Sequence, residues 1–312
     1  MRSYGVKPNI LRIVIYFLSK HKQCVRVNQT FSEYVSVNVG APQGTKLGPI
    51  LWLFYVNDLS VEGYNCVKYA DDTSFYKTVF SPDEDNVARA ILTAQEWSMK
   101  NSMLLNSDKT QIMNILINHR YNYDDELFVH DDFSIQPTEC IKFLGLFIDD
   151  HLNFSKHIDE VVSKCDKRIF LLRQLKILGM NATGLKTFYC SNIRSVLSYA
   201  APAFYTMLSD HDKSRIERIQ RTCTRVIFPD LEYEQRIEKL DIPLLCDFLH
   251  DLGARHFCRI ASDPSHPLFD RICFNQGRMS LRRKATTYRP KRANTQKRAK
   301  SFFNFYMSHF NS

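Results

Sequence analysis

The hydrophobic pattern of this sequence changes at Ser155, and that change limits the folds the chain can adopt. Before Ser155, short β-rich runs alternate with helical segments and glycine-containing loops, which is typical of a mixed α/β domain. After it, Ile158, Val162 and Cys165 begin a helical spacing that continues through later segments. Ser155 itself is a predicted N-cap. The sequence therefore predicts an α/β part over 1–150, an all-helical part over 151–270 and a tail over 271–312.

Helices and one hairpin are predicted at defined positions. The predicted helices are Pro8–Ser19, Pro49–Asn57, Asp83–Lys100, Thr183–Tyr199, Asp210–Ile227 and Glu234–Ile260. The first of them has its inner face at Ile10, Val14, Phe17 and Leu18. The β-rich runs Cys66–Ala70 and Thr73–Tyr76 flank Asp71 and Asp72, which predicts a tight hairpin with both acids in its turn.

The positive charge is concentrated at the C-terminal end. The net charge is +9, and the segment from Arg271 onward contains 11 lysines and arginines without any aspartate or glutamate. Such a tail attracts polyanions such as nucleic acid, although a solvated arm without a specific partner has the same composition. Its aromatic residues either stack on bases or anchor the tail onto the helical part. They are Tyr288, Phe302, Phe303 and Phe305, in and beside the basic run from Arg282-Arg283-Lys284 to Lys300.

Cysteine usage and hydropathy indicate an intracellular protein. The nine cysteines contain no C-x-x-C pair and lie among apolar runs, which is typical of reduced, buried thiols. The apolar run Ile10–Leu18 is too short to span a bilayer and contains Arg12, and no signal peptide is visible, so we expect no membrane partner. The sequence leaves open whether the protein is nuclear or cytoplasmic, and its oligomeric state.

Asp71 and Asp72 are the carboxylates best suited to catalysis. Two adjacent carboxylates at a hairpin tip need a counter-charge, which Mg²⁺, or alternatively Mn²⁺, supplies while taking further ligands from water and substrate phosphates. Two such ions about 3.5–4 Å apart clamp the attacking and leaving oxygens of a nucleotidyl transfer. Acidic pairs also favour turns without any metal, and Asp131-Asp132 and Asp149-Asp150 recur in this chain. The Asp-Asp dipeptide alone therefore does not show whether these residues bind a metal ion or only form a turn.

A glycine-containing loop precedes the acidic pair and leads into a predicted helix. It reads Gly40-Ala41-Pro42-Gln43-Gly44-Thr45-Lys46-Leu47-Gly48-Pro49 and continues to Tyr55-Val56-Asn57-Asp58-Leu59. Gly44 and Gly48 permit close approach of a bulky ligand, and Gln43 offers an amide to a base edge or sugar. The N-terminus of the following helix favours phosphate.

In this order and spacing, the loop and the hairpin resemble the reverse transcriptases of non-LTR retrotransposons. The Pro-Gln-Gly loop, the Leu-Gly-Pro and Tyr-x-Asn-Asp-Leu segments and the Tyr-Ala-Asp-Asp hairpin of that family all have counterparts between Gly40 and Thr73. The resemblance implies an α/β fold that is a partial right-hand polymerase, with a palm of mixed sheet and helices followed by an all-helical thumb and connection region. It also implies an RNA template, a DNA primer and deoxynucleotides as partners.

The resemblance assigns roles to single residues. Asp71 and Asp72 are implied to be catalytic and to hold the metal. The residues implied to contact nucleotide and template are Pro42, Gln43, Gly44 and Lys109, and those implied to grip the primer are Phe143, Leu144 and Gly145. Two alternatives stay open: Lys109, within Leu105-Asn106-x-x-Lys109-Thr110, is equally an ordinary exposed lysine. Residues 143–145 are equally a core strand with a glycine bend.

One carboxylate of the family has no counterpart. Its site uses three, one of them from a strand ahead of the stretch that Arg2-Ser3-Tyr4-Gly5-Val6 resembles, whereas residues 1–39 contain a single acid, Glu33. The resemblance therefore implies an N-terminally truncated domain that is inactive as a polymerase on its own, since that ligand serves both metal ions. The alternatives are a non-catalytic nucleic-acid-binding protein that uses the thumb helices and basic tail, or a remnant without a selected role.

Overall fold

The chain folds into two compact units. The computed structural model describes residues 1–19, 21–37, 40, 44–79, 87–115, 128–130, 133–274, 288–293 and 295–311. The first unit comprises Met1–Thr110 with Tyr123–Ile135, and the second comprises Gln111–Asn122 with Gln136–Ser312.

The first unit contains three described helices with few buried side chains. They are α1 (Pro8–Leu18), α2 (Leu47–Val56) and α3 (Val87–Lys100). Pro8 begins α1, where its missing N–H is not needed. The predicted inner face of α1 is only partly correct, because Val14 is buried while Ile10 and Leu18 are exposed. The predicted helix over 83–100 is confirmed from Val87 onward, and its first residues lie outside the described part.

The described strands form five separate antiparallel pairs. Four pairs belong to the first unit and one to the second: β1 (His21–Gln23) with β4 (Val35–Val37), β2 (Arg26–Val27) with β3 (Thr30–Phe31), β5 (Asn65–Tyr69) with β6 (Asp72–Tyr76), β7 (Phe128–His130) with β8 (Phe133–Ile135), and β9 (Cys140–Phe143) with β10 (Leu146–Asp149). The mixed sheet expected of a palm is thus absent from the described residues. No residue of β5 or β6 is buried, so neither face of that hairpin is packed as the core of a larger sheet.

The second unit is built on helices that pack around two hydrophobic clusters. Its helices are α4 (Ser155–Ile177), α5 (Ala182–Phe188), α6 (Ser195–Ser198), α7 (Ala201–Phe204), α8 (Asp210–Ile227), α9 (Tyr233–Leu240), α10 (Leu245–Ser262), α11 (Gln296–Lys300) and α12 (Phe302–His309), with a π-helical turn at Tyr189–Arg194. The longest of them, α4, packs against α8 and buries Ile158, Cys165 and Leu172 completely. The all-helical pattern predicted after Ser155 is confirmed.

Two details of the predicted helices are wrong. Phe154, not Ser155, is the N-cap of α4, in left-handed backbone at φ 61° and without a side-chain cap. The carboxylate of Asp149 accepts hydrogen bonds from the backbone N–H groups of Asn153 (2.9 Å) and Phe154 (2.6 Å), so it orders the residues before the helix. The predicted helix Glu234–Ile260 is two helices, because the chain turns at Asp241 (φ 47°) and Pro243 interrupts the helical hydrogen bonds.

The cysteines are all free thiols, as their spacing predicts, but they are not all buried. Cys165 and Cys223 have no exposed surface. Burial raises the pKa of the Cys165 thiol to about 12, so it behaves as an inert apolar side chain. Cys246 and Cys258 are exposed on α10, which corrects the prediction for those two.

Asp212 is a buried carboxylate that links the two main helices. It accepts hydrogen bonds from Ser209 Oγ (2.8 Å), Ser155 Oγ (3.3 Å) and Arg215 Nη1 (3.1 Å). Burial alone would raise the pKa of Asp212, but these hydrogen bonds and the Arg215 charge outweigh it, so the pKa lies below its ordinary value. The ionised form of Asp212 therefore stabilises the fold.

We expect Asp212→Asn to lower the free energy of unfolding by roughly 1–3 kcal/mol at pH 7, because charge-assisted hydrogen bonds are lost in a buried place. A carboxylate with a lowered folded-state pKa contributes stability above its unfolded pKa of about 3.9 and loses it as the pH falls through the folded value. Urea unfolding should therefore show a smaller difference between the two proteins at pH 3 than at pH 7. Asp210→Asn, on the exposed side of α8, is the control and should change little; an equal loss from both changes would contradict a specific role for Asp212.

Candidate active site

Asp71 and Asp72 lie at the tip of the β5–β6 hairpin. Tyr69 pairs with Asp72 across the ladder, so the turn residues are Ala70 and Asp71. The prediction of a tight hairpin is confirmed, but its placement of both acids in the turn is wrong, because Asp72 is the first residue of β6. Ala70 has a left-handed backbone at φ 51°, the conformation that short hairpin turns require. Both carboxylates are exposed.

The hairpin tip is held against helix α2. Trp52 Nε1 donates a hydrogen bond to the carbonyl of Ala70 at 2.5 Å. Lys68 Nζ donates to the carbonyls of Val56 (2.6 Å) and Asn57 (3.1 Å), which are the unsatisfied acceptors at the C-terminal end of α2. Sequence reasoning singled out neither Trp52 nor Lys68. Their positions within the helix motif and immediately before Tyr69 were the available signals.

The Asn-Asp pair that follows α2 has structural contacts of its own. Asn57 Nδ2 donates to Tyr4 Oη at 2.8 Å, and the carboxylate of Asp58 accepts from Trp97 Nε1 at 3.1 Å. These two bonds connect α2 to the N-terminal segment and to α3. The Asn57-Asp58 pair therefore stabilises the end of α2, to which Lys68 of the acidic hairpin is bonded.

The loop before α2 is described only in part. Pro42 and Gln43, predicted to contact nucleotide and template, lie outside the described residues. Gly44 has φ 75°, and a Cβ placed on it would meet no atom of a described residue within 4 Å. The glycine is therefore needed for its backbone conformation, and the described part of the chain leaves space beside it. Thr45 Oγ1 accepts a hydrogen bond from the N–H of Gly48 at 3.2 Å. No acidic residue occupies the first turn of α2, which keeps the helix terminus available to an anion.

Lys109 lies on a 3-10 turn, Ser107–Lys109, of the first unit. The side chain of Asn106 accepts a hydrogen bond from the backbone N–H of Lys109 at 3.1 Å, which explains the asparagine of this motif as a cap. Lys109 is exposed, and its ammonium group forms no ion pair with any described acid. Its role at a phosphate stays a prediction.

Phe143, Leu144 and Gly145 belong to the second unit. Phe143 pairs with Leu146 at the end of the β9–β10 ladder, and Leu144 and Gly145 form the turn with φ of 47° and 88°. Tyr199 Oη donates a hydrogen bond to the carbonyl of Leu144. The Tyr199 ring also covers Gly145, since a Cβ at that glycine would lie 3.5 Å from Cε1 of the ring. The contact of Tyr199 with this turn was not predicted from the sequence, because Tyr199 lies 55 residues after Leu144.

The hairpin of β5–β6 offers oxygen ligands but not a closed metal site. Among the described residues no group of three or more His, Cys, Asp and Glu side chains is placed to hold a metal ion. Two exposed carboxylates suit Mg²⁺, which keeps several waters and takes further oxygens from substrate phosphates. Two carboxylates on a hairpin, with a glycine-containing loop before them in the sequence, are an arrangement that would suit metal-assisted phosphoryl-group transfer.

An acidic hairpin preceded by a glycine-containing loop is typical of a class of nucleotide-transferring proteins. Comparison with known proteins gives the family of this part of the chain. Residues 4–148 match the family model described as reverse transcriptase (RNA-dependent DNA polymerase). This segment belongs to that family, in the group carried by non-LTR retrotransposons.

The relatives are proteins of transposable elements, and each is much longer than this chain. The chain is 25% identical over 223 residues to the probable RNA-directed DNA polymerase from transposon X-element of Drosophila melanogaster, which covers 68% of this chain and 24% of that protein. It is 22% identical over 279 residues to the RNA-directed DNA polymerase from mobile element jockey of the same species, covering 83% and 30%. It is 24% identical over 194 residues to the Pol polyprotein from type-1 retrotransposable element R1 of Bradysia coprophila, covering 59% and 19%.

The chain thus spans no more than 30% of the length of these relatives. The longest alignments extend well past residue 148, so the similarity includes helices of the second unit. No solved structure matches the chain. None of the helices in the described ranges combines the length and apolarity of a membrane span.

The bond from Tyr199 to the β9–β10 turn gives a testable prediction. We expect Tyr199→Phe to speed amide hydrogen exchange in β9 and β10 and to lower the free energy of unfolding by roughly 0.5–1.5 kcal/mol, because one hydrogen bond is removed. Tyr16→Phe is the matched control, since Tyr16 is 80% exposed and its hydroxyl has no described hydrogen bond. Unchanged exchange in the hairpin would show that the turn does not need Tyr199.

Proposed function

We propose that this chain carries the Asp71–Asp72 element of an RNA-directed DNA polymerase. In this proposal Asp71 binds the divalent cation, Mg²⁺ or Mn²⁺, and Asp72 lies beside it as a second ligand. The observation that carries the proposal is the fixed hairpin tip, where Trp52 and Lys68 tie the acidic turn to α2. A rigid tip keeps the carboxylates oriented before the metal arrives, which favours catalysis by preorganisation.

The remaining roles follow the order of the motifs. Gly44 leaves open space at a helix N-terminus with no acid, which supports a place for nucleotide phosphates beside Pro42 and Gln43. The exposed ammonium of Lys109 is suited to the same phosphates. The turn of Phe143–Gly145 is the proposed support of the primer terminus. An RNA template, a DNA primer and deoxynucleotides are then the substrates.

We further propose that these residues alone do not complete the catalytic site. Residues 1–39 offer only Glu33, which lies exposed between β3 and β4. Two-metal transfer uses a carboxylate that bridges both ions, and its loss removes most of the rate enhancement. Metal binding at Asp71 and polymerisation are therefore expected to separate in this chain.

Metal binding can be measured without catalysis. We expect Mn²⁺, added with a deoxynucleoside triphosphate, to broaden the NMR signals of residues 69–73 selectively, because a paramagnetic ion acts over short distances. Asp71→Ala should abolish the broadening. Asp230→Ala removes an exposed carboxylate of the second unit and should leave it intact. Equal broadening in the Asp71→Ala protein would contradict a metal site at the hairpin.

Primer extension tests the second half of the proposal. On an RNA template with Mg²⁺ or Mn²⁺, we expect no extension from either the unchanged protein or its Asp71→Ala form. Extension that is present in the unchanged protein and vanishes in the variant would show that the site is complete, and the proposed deficiency would be wrong.

Binding of nucleic acid without catalysis is the second candidate function. It would use the helices of the second unit together with the basic tail. The observation that favours it is charge, because the tail from Arg271 contains 11 bases and no acid. Such a segment binds polyanions in a salt-dependent way.

A further inference from the structure

The C-terminal segment is folded onto helix α10. Tyr306 of α12 is buried, and its hydroxyl donates a hydrogen bond to the carbonyl of His250 at 3.0 Å. Gly253 makes room for that ring, since a Cβ there would lie 2.0 Å from Tyr306 Oη. Phe257 of α10 stacks on Tyr306 and Phe310 at centroid distances of 6.1 and 5.4 Å. The end of the chain is therefore docked through its apolar side chains.

Two asparagines hold the basic stretch in place, one in helix α12 and one just after it. The buried Asn304 accepts a hydrogen bond from the N–H of Lys291 (3.1 Å) and donates one to the carbonyl of Arg298 (2.9 Å). Asn311 bonds both backbone groups of Tyr288, at 3.0 and 2.5 Å. Because these bonds go to the backbone, they hold the chain at Tyr288, Lys291 and Arg298 without using a charged group, and the side chains of Lys291 and Arg298 are exposed.

A cluster of six bases lies on this fixed stretch. Its members, called the basic strap below, are Arg289, Lys291, Arg292, Lys297, Arg298 and Lys300. Four of them are exposed and two half-buried, and none forms an ion pair with any acid in the described ranges. The six bases fall within residues 289–300, and like charges in so short a segment repel one another, so a polyanion that binds there gains from relieving the repulsion. The bases of Arg282, Arg283 and Lys284 lie outside the described residues.

The aromatic side chains near the strap point to the core. Tyr288, Phe302, Phe303 and Phe305 pack against the cluster formed by Phe257, Ile260, Ile272, Tyr306 and Met307. These aromatic residues were predicted either to stack on bases or to anchor the tail onto the helical part, and in the structure they anchor it. They are then not available as stacking platforms for bases. What the strap offers is a set of cations at fixed positions, which suits phosphates and carries no sequence information.

We propose that the basic strap is a preorganised binding surface for the phosphate backbone of a nucleic acid, independent of base sequence. The inference rests on the second proposed function and on no polymerase chemistry. If all six cations engage a single strand, they contribute a salt slope of roughly 4 in log K against log of salt concentration, at about 0.7 per phosphate. Removal of the whole tail is a poor test, because it also uncovers Phe257 and Ile260 of α10.

The test uses charge removal on the surface. Binding of a fluorescent 20-nucleotide oligo-U RNA is followed by anisotropy between 50 and 300 mM KCl. Exchange of Lys291, Arg292 and Arg298 for Gln should lower the salt slope by roughly 2. The matched control exchanges Arg12, Lys22 and Lys100 for Gln, three exposed bases of the first unit, and should lower it by much less. An unchanged slope in the strap variant, or equal losses in both, would overturn the proposal.

A second variant tests the preorganisation while keeping every charge. Asn304→Leu removes the two bonds to Lys291 and Arg298, so the strap loses its fixed path. We expect affinity to fall by roughly tenfold, since binding must then order the segment, with the slope little changed. Gly253→Ala, which displaces Tyr306, should act in the same direction. Full affinity in both would show that a loose basic tail suffices and would overturn the fixed strap.

Further measurements distinguish this proposal from a metal-dependent site, from base-specific recognition and from binding to a membrane surface. RNA should bind the unchanged protein as tightly in EDTA, without any divalent cation, so failure of the metal site leaves this result intact. An oligo-dA of the same length should bind with a similar slope, whereas a strong preference for one base would contradict phosphate recognition. Binding to phosphatidylserine vesicles without binding to RNA would overturn the proposal in favour of a membrane surface.

Discussion

The packing of α4 against α8 is the interaction on which the second unit depends. Ile158, Cys165 and Leu172 of α4 have no exposed surface, and Cys223 of α8 is equally buried. Two neighbouring elements attach to that pair: α10 packs against α8, and the β9–β10 hairpin packs against α4. A dry core of this kind resists small changes of volume, so it holds the elements around it at fixed positions.

The first unit is organised differently, by polar contacts around α2. Its hairpin strands bury no residue, and large apolar side chains such as Tyr16, Val67 and Tyr69 are exposed. Ring contacts of Tyr4 with Phe54 and of Tyr55 with Trp97 join the helix to the N-terminal segment and to α3. Hydrogen bonds that involve Trp52, Lys68 and the Asn57-Asp58 pair add to them and reach the acidic turn. Each such bond stabilises by only about 1 kcal/mol, so this unit has less cooperative support for its candidate site than the second unit has for its hairpin.

The sequence predicted well what depends on local pattern and poorly what depends on distant contacts. The change at Ser155, helix Asp210–Ile227 and the acidic hairpin follow from periodicity and turn chemistry, which act between near neighbours. Tyr199 on the Leu144 carbonyl, Trp52 on Ala70 and Asn304 on the basic stretch join segments that no local rule connects. The predicted N-cap of α4 is wrong for the same reason. The carboxylate that orders the residues before α4 belongs to Asp149, on the preceding strand, and Ser155 forms its hydrogen bond with Asp212 instead.

Both candidate sites carry an excess of one charge that the described chain does not neutralise. No described cation pairs with Asp71 or Asp72, and no described acid pairs with the six bases of the strap. A nucleic acid with its divalent counter-ions brings both missing partners at once, phosphate for the strap and metal for the hairpin. The two sites differ in what holds them, however. The strap is backed by an aromatic cluster on α10, whereas the acidic hairpin rests on three hydrogen bonds of Trp52 and Lys68. A change that loosens the first unit is therefore expected to disturb the proposed metal site, while the proposed phosphate-binding surface keeps its own support.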